Sequence, residues 1–193
     1  MINQLLWLDH SVFEWIQIHL HNDLINNFII GFRDKMFWVP LYITLIGWIF
    51  LFHKKTVWII VLCTIVLIAL TDQLNSNILK KAIKRDRPCR ELYFKDHFSP
   101  LIDCSGGYSF PSTHAANHMA LGLFFFFILR DSLPKARYFM LFWPILIGFA
   151  QVFVGVHFPI DVIAGWLVGL ITGSLVYFLF KKILSNYGFG GTN

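Results

Sequence analysis

Thr56–Leu79, TVWIIVLCTIVLIALTDQLNSNIL, decides the fold: 24 residues pass with a single charge, Asp72. A helix rises about 1.5 Å per residue and the hydrocarbon core is about 30 Å thick, so a segment of this length and character crosses a bilayer. Met36–Phe52 precedes it, and His114–Leu129, Tyr138–Val156 and Phe158–Phe180 follow, each long and apolar enough for the same purpose. The 193 residues are 56% hydrophobic and 14% charged, against about a quarter charged in soluble domains. Mean hydropathy is +0.61. Five helices wholly buried in a soluble protein would need far more chain to cover them. The expected class is an all-α integral membrane protein, a bundle of five transmembrane helices in one domain spanning residues 1–193.

The N-terminal region, residues 1–35, reads differently. Asn3, His10, Glu14, Gln17 and His21 recur near a 3.6-residue period, opposite Leu5, Leu8, Val12, Trp15, Ile16 and Leu20. That pattern predicts an amphipathic helix lying in the membrane interface. A sixth, partly polar span is the alternative. With neither a basic start nor a small-residue cleavage site, a removable signal peptide is not expected.

Short loops rich in Lys and Arg stay on the cytoplasmic side. His53-Lys54-Lys55, the Arg130–Arg137 segment and Lys181-Lys182 fall on one side of a five-span path. The loop from Lys80 to Thr113 and the turn His157–Asp161 then share the opposite, extracytoplasmic side. Cys89 and Cys104 lie in that loop, fifteen residues apart. In an oxidising compartment a disulfide between them is the expectation, with two free thiols the alternative. Cys63 sits within a span and reads as a small core residue.

The same side collects the chemistry-bearing residues. Lys80 is followed seven residues later by Arg87-Pro88; Pro111-Ser112-Thr113-His114 opens a helix; His157 precedes Asp161 by four. Ser112 or Thr113 is placed to cap the helix, so His114 falls in a first turn where unpaired N–H groups favour an anion. A carboxylate accepting from one ring nitrogen of a histidine leaves the other as a nucleophile, and Asp161 can do this for His157 across a turn at Pro159. Cations, a proton donor and an activated histidine are what phosphate-ester cleavage requires. His118 follows His114 by one turn, but no third ligand has a metal-binding spacing, and no metal is expected.

These three stretches resemble the type 2 phosphatidic acid phosphatase family, membrane relatives of bacterial acid phosphatases and vanadium haloperoxidases. Lys-x6-Arg-Pro is met by Lys80, Arg87 and Pro88. Pro-Ser-Gly-His is met by Pro111, Ser112 and His114, with Thr113 in place of Gly. Ser-Arg-x5-His-x3-Asp aligns with Ala150-Gln151, His157 and Asp161. The resemblance implies a phosphohistidine on His157, oriented by Asp161, with His114 protonating the leaving group. Lys80, Arg87, Ser112, Thr113 and Gln151 would hold the phosphate, without metal or other cofactor. Gln151 in place of Arg removes a charge-assisted hydrogen bond, worth roughly 1.5–3 kcal/mol. Lys84 or Arg85 is the expected substitute.

The implied enzyme is a lipid phosphatase of the bacterial inner membrane, its site on the periplasmic or extracytoplasmic side. Its partners are the bilayer and a membrane lipid phosphate; no nucleic acid is expected. Undecaprenyl diphosphate ranks first because a minimal loop suits a headgroup that is only phosphate. Phosphatidylglycerophosphate, phosphatidic acid and lipid A phosphate follow, by hydrolysis or phosphotransfer. A catalytically weak lipid-phosphate binder or transporter is the rival reading, resting on Gln151.

Overall fold

In the computed structural model, which describes residues 2–187, the chain is all helical among the described residues. Two helices, α1 (Ile2–His19) and α2 (Asp23–Arg33), precede five apolar ones. These are α3 (Val39–Phe52), α4 (Val57–Ile83), α6 (Thr113–Ile128), α7 (Phe139–Phe153) and α8 (Pro159–Asn186). A short α5 (Leu92–His97) stands in the loop between α4 and α6. The five apolar helices coincide with the five expected spans. Val57–Ile83, Ala136–Phe153 and Pro159–Asn186 are each long and apolar enough to cross alone. α2 and α3 meet the same requirement only as a pair bent by 72°, and α6 is a shorter apolar helix. The chain is a multi-pass membrane protein.

The N-terminal region departs from a single interfacial helix. The Asn22 side chain accepts the Ile25 N–H at 2.9 Å, starting a second helix after a break at residues 20–22. α1 itself does not have the character of a span. It lies with Leu5, Leu8, Val12 and Trp15 outward and Asp9, Phe13, Ile16 and Gln17 buried against the bundle. Gln17 Nε2 donates to the Val152 carbonyl at 3.0 Å, which seats α1 on the end of α7.

α6 and α8 form the centre of the bundle. Gly165, Gly169 and Gly173 recur every four residues along one face of α8. A Cβ at Gly165 would stand 2.5 Å from the Ser112 carbonyl, one at Gly173 2.9 Å from that of Ala120, and one at Gly169 would overlap that of Ala116. The absence of side chains there lets the two backbones touch, the usual basis of helix association where lipid supplies no hydrophobic drive. The opposite face of α8 presents Ile163, Leu167, Ile171, Leu175 and Phe178, all largely exposed and suited to lipid. Between α4 and α8 the Thr71 hydroxyl donates to that of Thr172 at 2.9 Å.

α4 is not α-helical throughout. Gln73–Leu79 winds as a π-helix before the last α turn, Lys80–Ile83. The wider turn carries Asn75 to α6, where Nδ2 donates to the Pro111 carbonyl at 3.1 Å and to Thr113 Oγ1 at 2.9 Å. The segment read as loop from Lys80 therefore begins as helix, and Lys84, in the left-handed region (φ 53°), ends it. Placing Gly169→Ala in the α6–α8 seam should cost about 1–3 kcal/mol, because two backbones must separate. Thermal unfolding of purified protein should show a lowered midpoint for Gly169→Ala and little change for the outward Ile171→Ala.

Candidate active site

Four helix ends meet on one side of the bundle: the last turns of α4 and α7 and the first turns of α6 and α8. They enclose a cavity of about 410 Å³ whose lining includes Lys80, Arg87, Thr113, His114, Gln151 and His157. Six of the eight residues expected at the site line this cavity; Asp161 stands behind His157, and Ser112 is not part of the wall. Its side chain is fully buried, and Oγ accepts the Ala115 N–H at 3.4 Å as the cap of α6. The hydroxyl oxygen thus accepts at the helix start, which leaves its O–H free to donate. Thr113 faces the cavity, with its own hydroxyl tethered by Asn75.

His157 sits in the turn between α7 and α8, 2% exposed. Its Nδ1 is 3.5 Å from Asp161 Oδ2 and 3.2 Å from Ser109 Oγ. Ser109 Oγ also donates to Asp161 Oδ2, and the Phe158 N–H donates to the same oxygen at 2.9 Å. A carboxylate only accepts, so this arrangement places the ring proton on Nδ1 and leaves the Nε2 lone pair for the cavity side. There Arg87 Nη1 lies 3.1 Å from Nε2 and donates at 3.1 Å to the Val156 carbonyl. Burial pushes the His157 pKa down to about 4 against the opposing pull of Asp161. The ring is neutral at ordinary pH.

Asp161 is buried at the first turn of α8, where an acidic side chain complements the helix dipole. Its Oδ1 accepts from Arg85 Nη1 at 2.9 Å, and Arg85 Nη2 donates to Asp9 of α1. The Arg85 guanidinium also stacks 4.1 Å over the Phe158 ring. Asp9 Oδ1 accepts the Ile160 N–H at 2.8 Å. Arg85 is thereby committed between two carboxylates, and Lys84 is exposed. Neither lines the cavity beside Gln151, where the sequence reading expected a substitute charge.

The side chain at Gln151 is Arg33, from the end of α2. Its Nε donates to Gln151 Oε1 at 3.2 Å, and Arg33 lines the cavity. Lys80 Nζ donates to the Tyr108 carbonyl at 2.8 Å. Cys89 and Cys104 are joined as a disulfide beside Arg87, and Arg90 donates to the Ser105 carbonyl at 3.1 Å. His114 and His118 stack with ring centroids 6.3 Å apart, and His118 Nδ1 lies 2.8 Å from the His114 carbonyl. Among the described residues no group of three or more His, Cys, Asp or Glu could hold a metal ion.

Asp9, Arg33, Asn75 and Ser109 escaped the sequence reading. The only sequence signal for Asp9 and Arg33 is a charge beside apolar neighbours in a region expected to lie on the membrane. Ser109 carries no signal beyond its place just ahead of Pro111.

Residues 56–184 match the family model of the PAP2 superfamily. The chain is 29% identical over 176 residues to lipid A 4'-phosphatase of Bacteroides thetaiotaomicron, covering 85% of this chain and 73% of that one. It is 32% identical over 164 residues to lipid A 4'-phosphatase of Porphyromonas gingivalis, covering 82% and 67%. Its fold is similar to the crystal structure of a transmembrane PAP2 type phosphatidylglycerolphosphate phosphatase from Bacillus subtilis. That superposition has a TM-score of 0.71 at 24% identity, over 94% of this chain and 88% of the other.

Removing one partner of a buried ion pair strands the other, at about 3–5 kcal/mol. Arg85 keeps Asp161 when Asp9 is lost, so Asp9→Ala should fall near the lower end, about 3 kcal/mol. A clear drop in thermal midpoint is expected; an unchanged midpoint would show that α1 docks without this pair.

Proposed function

The chain belongs to the PAP2 superfamily, and from that membership we propose that it hydrolyses a membrane lipid phosphate through a phosphohistidine on His157, without a metal ion. The observation that carries the reading is the neutral, buried His157, its Nδ1 held by Ser109 and Asp161 and its Nε2 turned toward a cation-lined cavity.

In this reading Lys80 and Arg87 draw the phosphate oxygens in, and the donors at the start of α6 add the positive end of a helix dipole. His157 Nε2 attacks phosphorus and the bond from phosphorus to the lipid oxygen breaks. His114, protonated once the phosphate anion lies beside it, gives that oxygen its proton. Water, deprotonated by the same His114, then attacks the phosphohistidine; the P–N bond breaks, phosphate leaves and both histidines return to their starting forms. Asp161 stays ionised throughout, compensating the charge that His157 acquires, with Arg85 and Ser109 holding its oxygens in place.

The substrate proposed first is a phosphate monoester on a glycolipid of the lipid A kind. Besides the cations, the cavity wall carries Asp72, Ser76, Asn117 and His118. A headgroup that is phosphate alone leaves these without use. An acidic group near a dianion is unfavourable unless it accepts from donors such as sugar hydroxyls or amides. The two lipid A 4'-phosphatases among its relatives support the same substrate class. Undecaprenyl diphosphate becomes the second reading, favoured by three cations, Arg33, Lys80 and Arg87, around one cavity. The site is proposed to face the extracytoplasmic side of the inner membrane. Support for this comes from His53, Lys54, Lys55, Arg130 and Lys181, which lie at the helix ends opposite the cavity.

Metal-free phosphate release from a panel of lipid A, undecaprenyl diphosphate, phosphatidylglycerophosphate and phosphatidic acid tests the reading. Wild type should act on one class, and His157→Ala should abolish release; release unchanged in His157→Ala would remove the mechanism. With His157 neutral above about pH 4, phosphoenzyme formation should keep its His157-dependent amplitude at pH 5.5. An imidazole with the ordinary pKa of about 6.5 would lose about nine-tenths of its neutral form there. Trapping the phosphoenzyme across pH 4–8 distinguishes the two.

A further inference from the structure

We propose that Arg33 is a phosphate-binding residue of this site, delivered from the N-terminal pair of helices and aimed by Gln151; the inference rests on the cavity being a phosphate site, as proposed above. Arg33 and Gln151 are 118 residues apart, on α2 and α7, yet the guanidinium Nε donates to Gln151 Oε1 at 3.2 Å. That bond uses the nitrogen nearest the stem and leaves the outer edge of the fork, both Nη groups, without a hydrogen bond among the described residues. The side chain forms part of the cavity wall that also holds Lys80, Arg87 and His114.

Gln151 supplies an independent observation. It is 1% exposed, and while Oε1 accepts from Arg33, its Nε2 has no partner among the described residues. A buried amide with an idle donor calls for an acceptor, and Gln151 borders the cavity. Two sets of unused donors, on Arg33 and on Gln151, therefore flank the same volume, and an oxyanion satisfies both. A planar guanidinium with its Nη edge free is also the group best matched to two phosphate oxygens at once.

The placement of Arg33 is built rather than incidental. Phe32 beside it is buried in a cluster with Trp38, Trp143, Ile147 and Ala150. Trp38 Nε1 donates to the Phe32 carbonyl at 2.7 Å, and the Trp38 ring packs on Trp143 of α7 with centroids 5.6 Å apart. Asp34, the nearest acid in sequence, is occupied in accepting the Met36 N–H at 2.8 Å. Among the described residues no carboxylate pairs with Arg33, and it shares the cavity wall with two further cations, Lys80 and Arg87, and one acid, Asp72. Converging unpaired cations repel one another unless an anion lies between them. In this chain the guanidinium expected at position 151 has moved to another helix, and Gln151 has become the positioning residue that holds it.

The test compares wild type, Arg33→Gln, Arg33→Lys and the double variant Arg33→Gln/Gln151→Arg, in detergent without metal. Two quantities are read: the affinity for inorganic phosphate from thermal-shift titration, and kcat/KM for phosphate release from the preferred lipid. Arg33→Gln should weaken phosphate binding and lower kcat/KM by about ten- to a hundredfold, the worth of a charge-assisted pair. Arg33→Lys should recover only part, lacking the Nε bond to Gln151. The double variant should return both quantities to within a few-fold of wild type, since the guanidinium is restored to the same wall. Phosphate affinity unchanged in Arg33→Gln overturns the inference, as does a double variant no better than Arg33→Gln. Binding does not require turnover. Weakened phosphate binding in Arg33→Gln, with no His157-dependent release from any lipid, would leave this inference standing and sink the proposed reaction. Normal turnover with an indifferent Arg33 would do the reverse.

Discussion

The direct contact between the α6 and α8 backbones is the constraint from which the site follows. Glycines at 165, 169 and 173 let α8 close on the carbonyls of Ser112, Ala116 and Ala120. At the head of that seam the Ser112 N–H donates to the Asp161 carbonyl at 2.8 Å. The first turns of the two helices are thus bonded to each other, and His114 on one and the His157 turn leading into the other open on a single cavity. In hydrocarbon, where apolar faces gain nothing by leaving solvent, such close packing and a few polar links carry the association.

The polar links are distributed with the same economy. Outward-facing positions along α4 and α8, such as Trp58, Leu62, Ile65, Leu167 and Ile171, are large and apolar. Inward positions hold Thr71, Asn75, Gln151, Thr172 and Asp161. The buried carboxylate of the site is answered, Asp161 by Arg85, Ser109 and a backbone N–H, and Arg85 in turn by Asp9. A lone carboxylate at that depth would be far too costly to keep ionised. The chain of Asp9, Arg85 and Asp161 allows a charged group to back His157 in a dry setting.

The sequence was legible wherever function and fold act through short spacing. Long apolar runs located five helices to within a few residues, because bilayer thickness sets their length. The pairs Lys80 with Arg87 and His157 with Asp161 were legible because each lies within a turn or a short loop. What could not be read were contacts between segments far apart in the chain. Arg33 meets Gln151 across 118 residues, and nothing in the residues around Arg33 distinguishes it from a cation seeking headgroups. Ser112 was legible as the cap of α6 because capping is a local pattern, its Oγ accepting the Ala115 N–H. The π-helical turn at Gln73–Leu79 has no compositional signature, yet it brings Asn75 onto Pro111 and Thr113.

The docking of α1 has a consequence for how the molecule comes into being. Asp9 bonds the backbone of Ile160, 151 residues later, so α1 must wait for α8 before its carboxylate, which Arg85 can already meet, has its second partner. Contacts of such separation close late, after the intervening chain has been ordered. Until α8 is in place, Asp161 is absent, Arg85 has no second carboxylate and the turn bearing His157 has no α8 to pack against. A chain without α8 therefore has cations and a histidine that nothing orients. Chemical competence waits on α8.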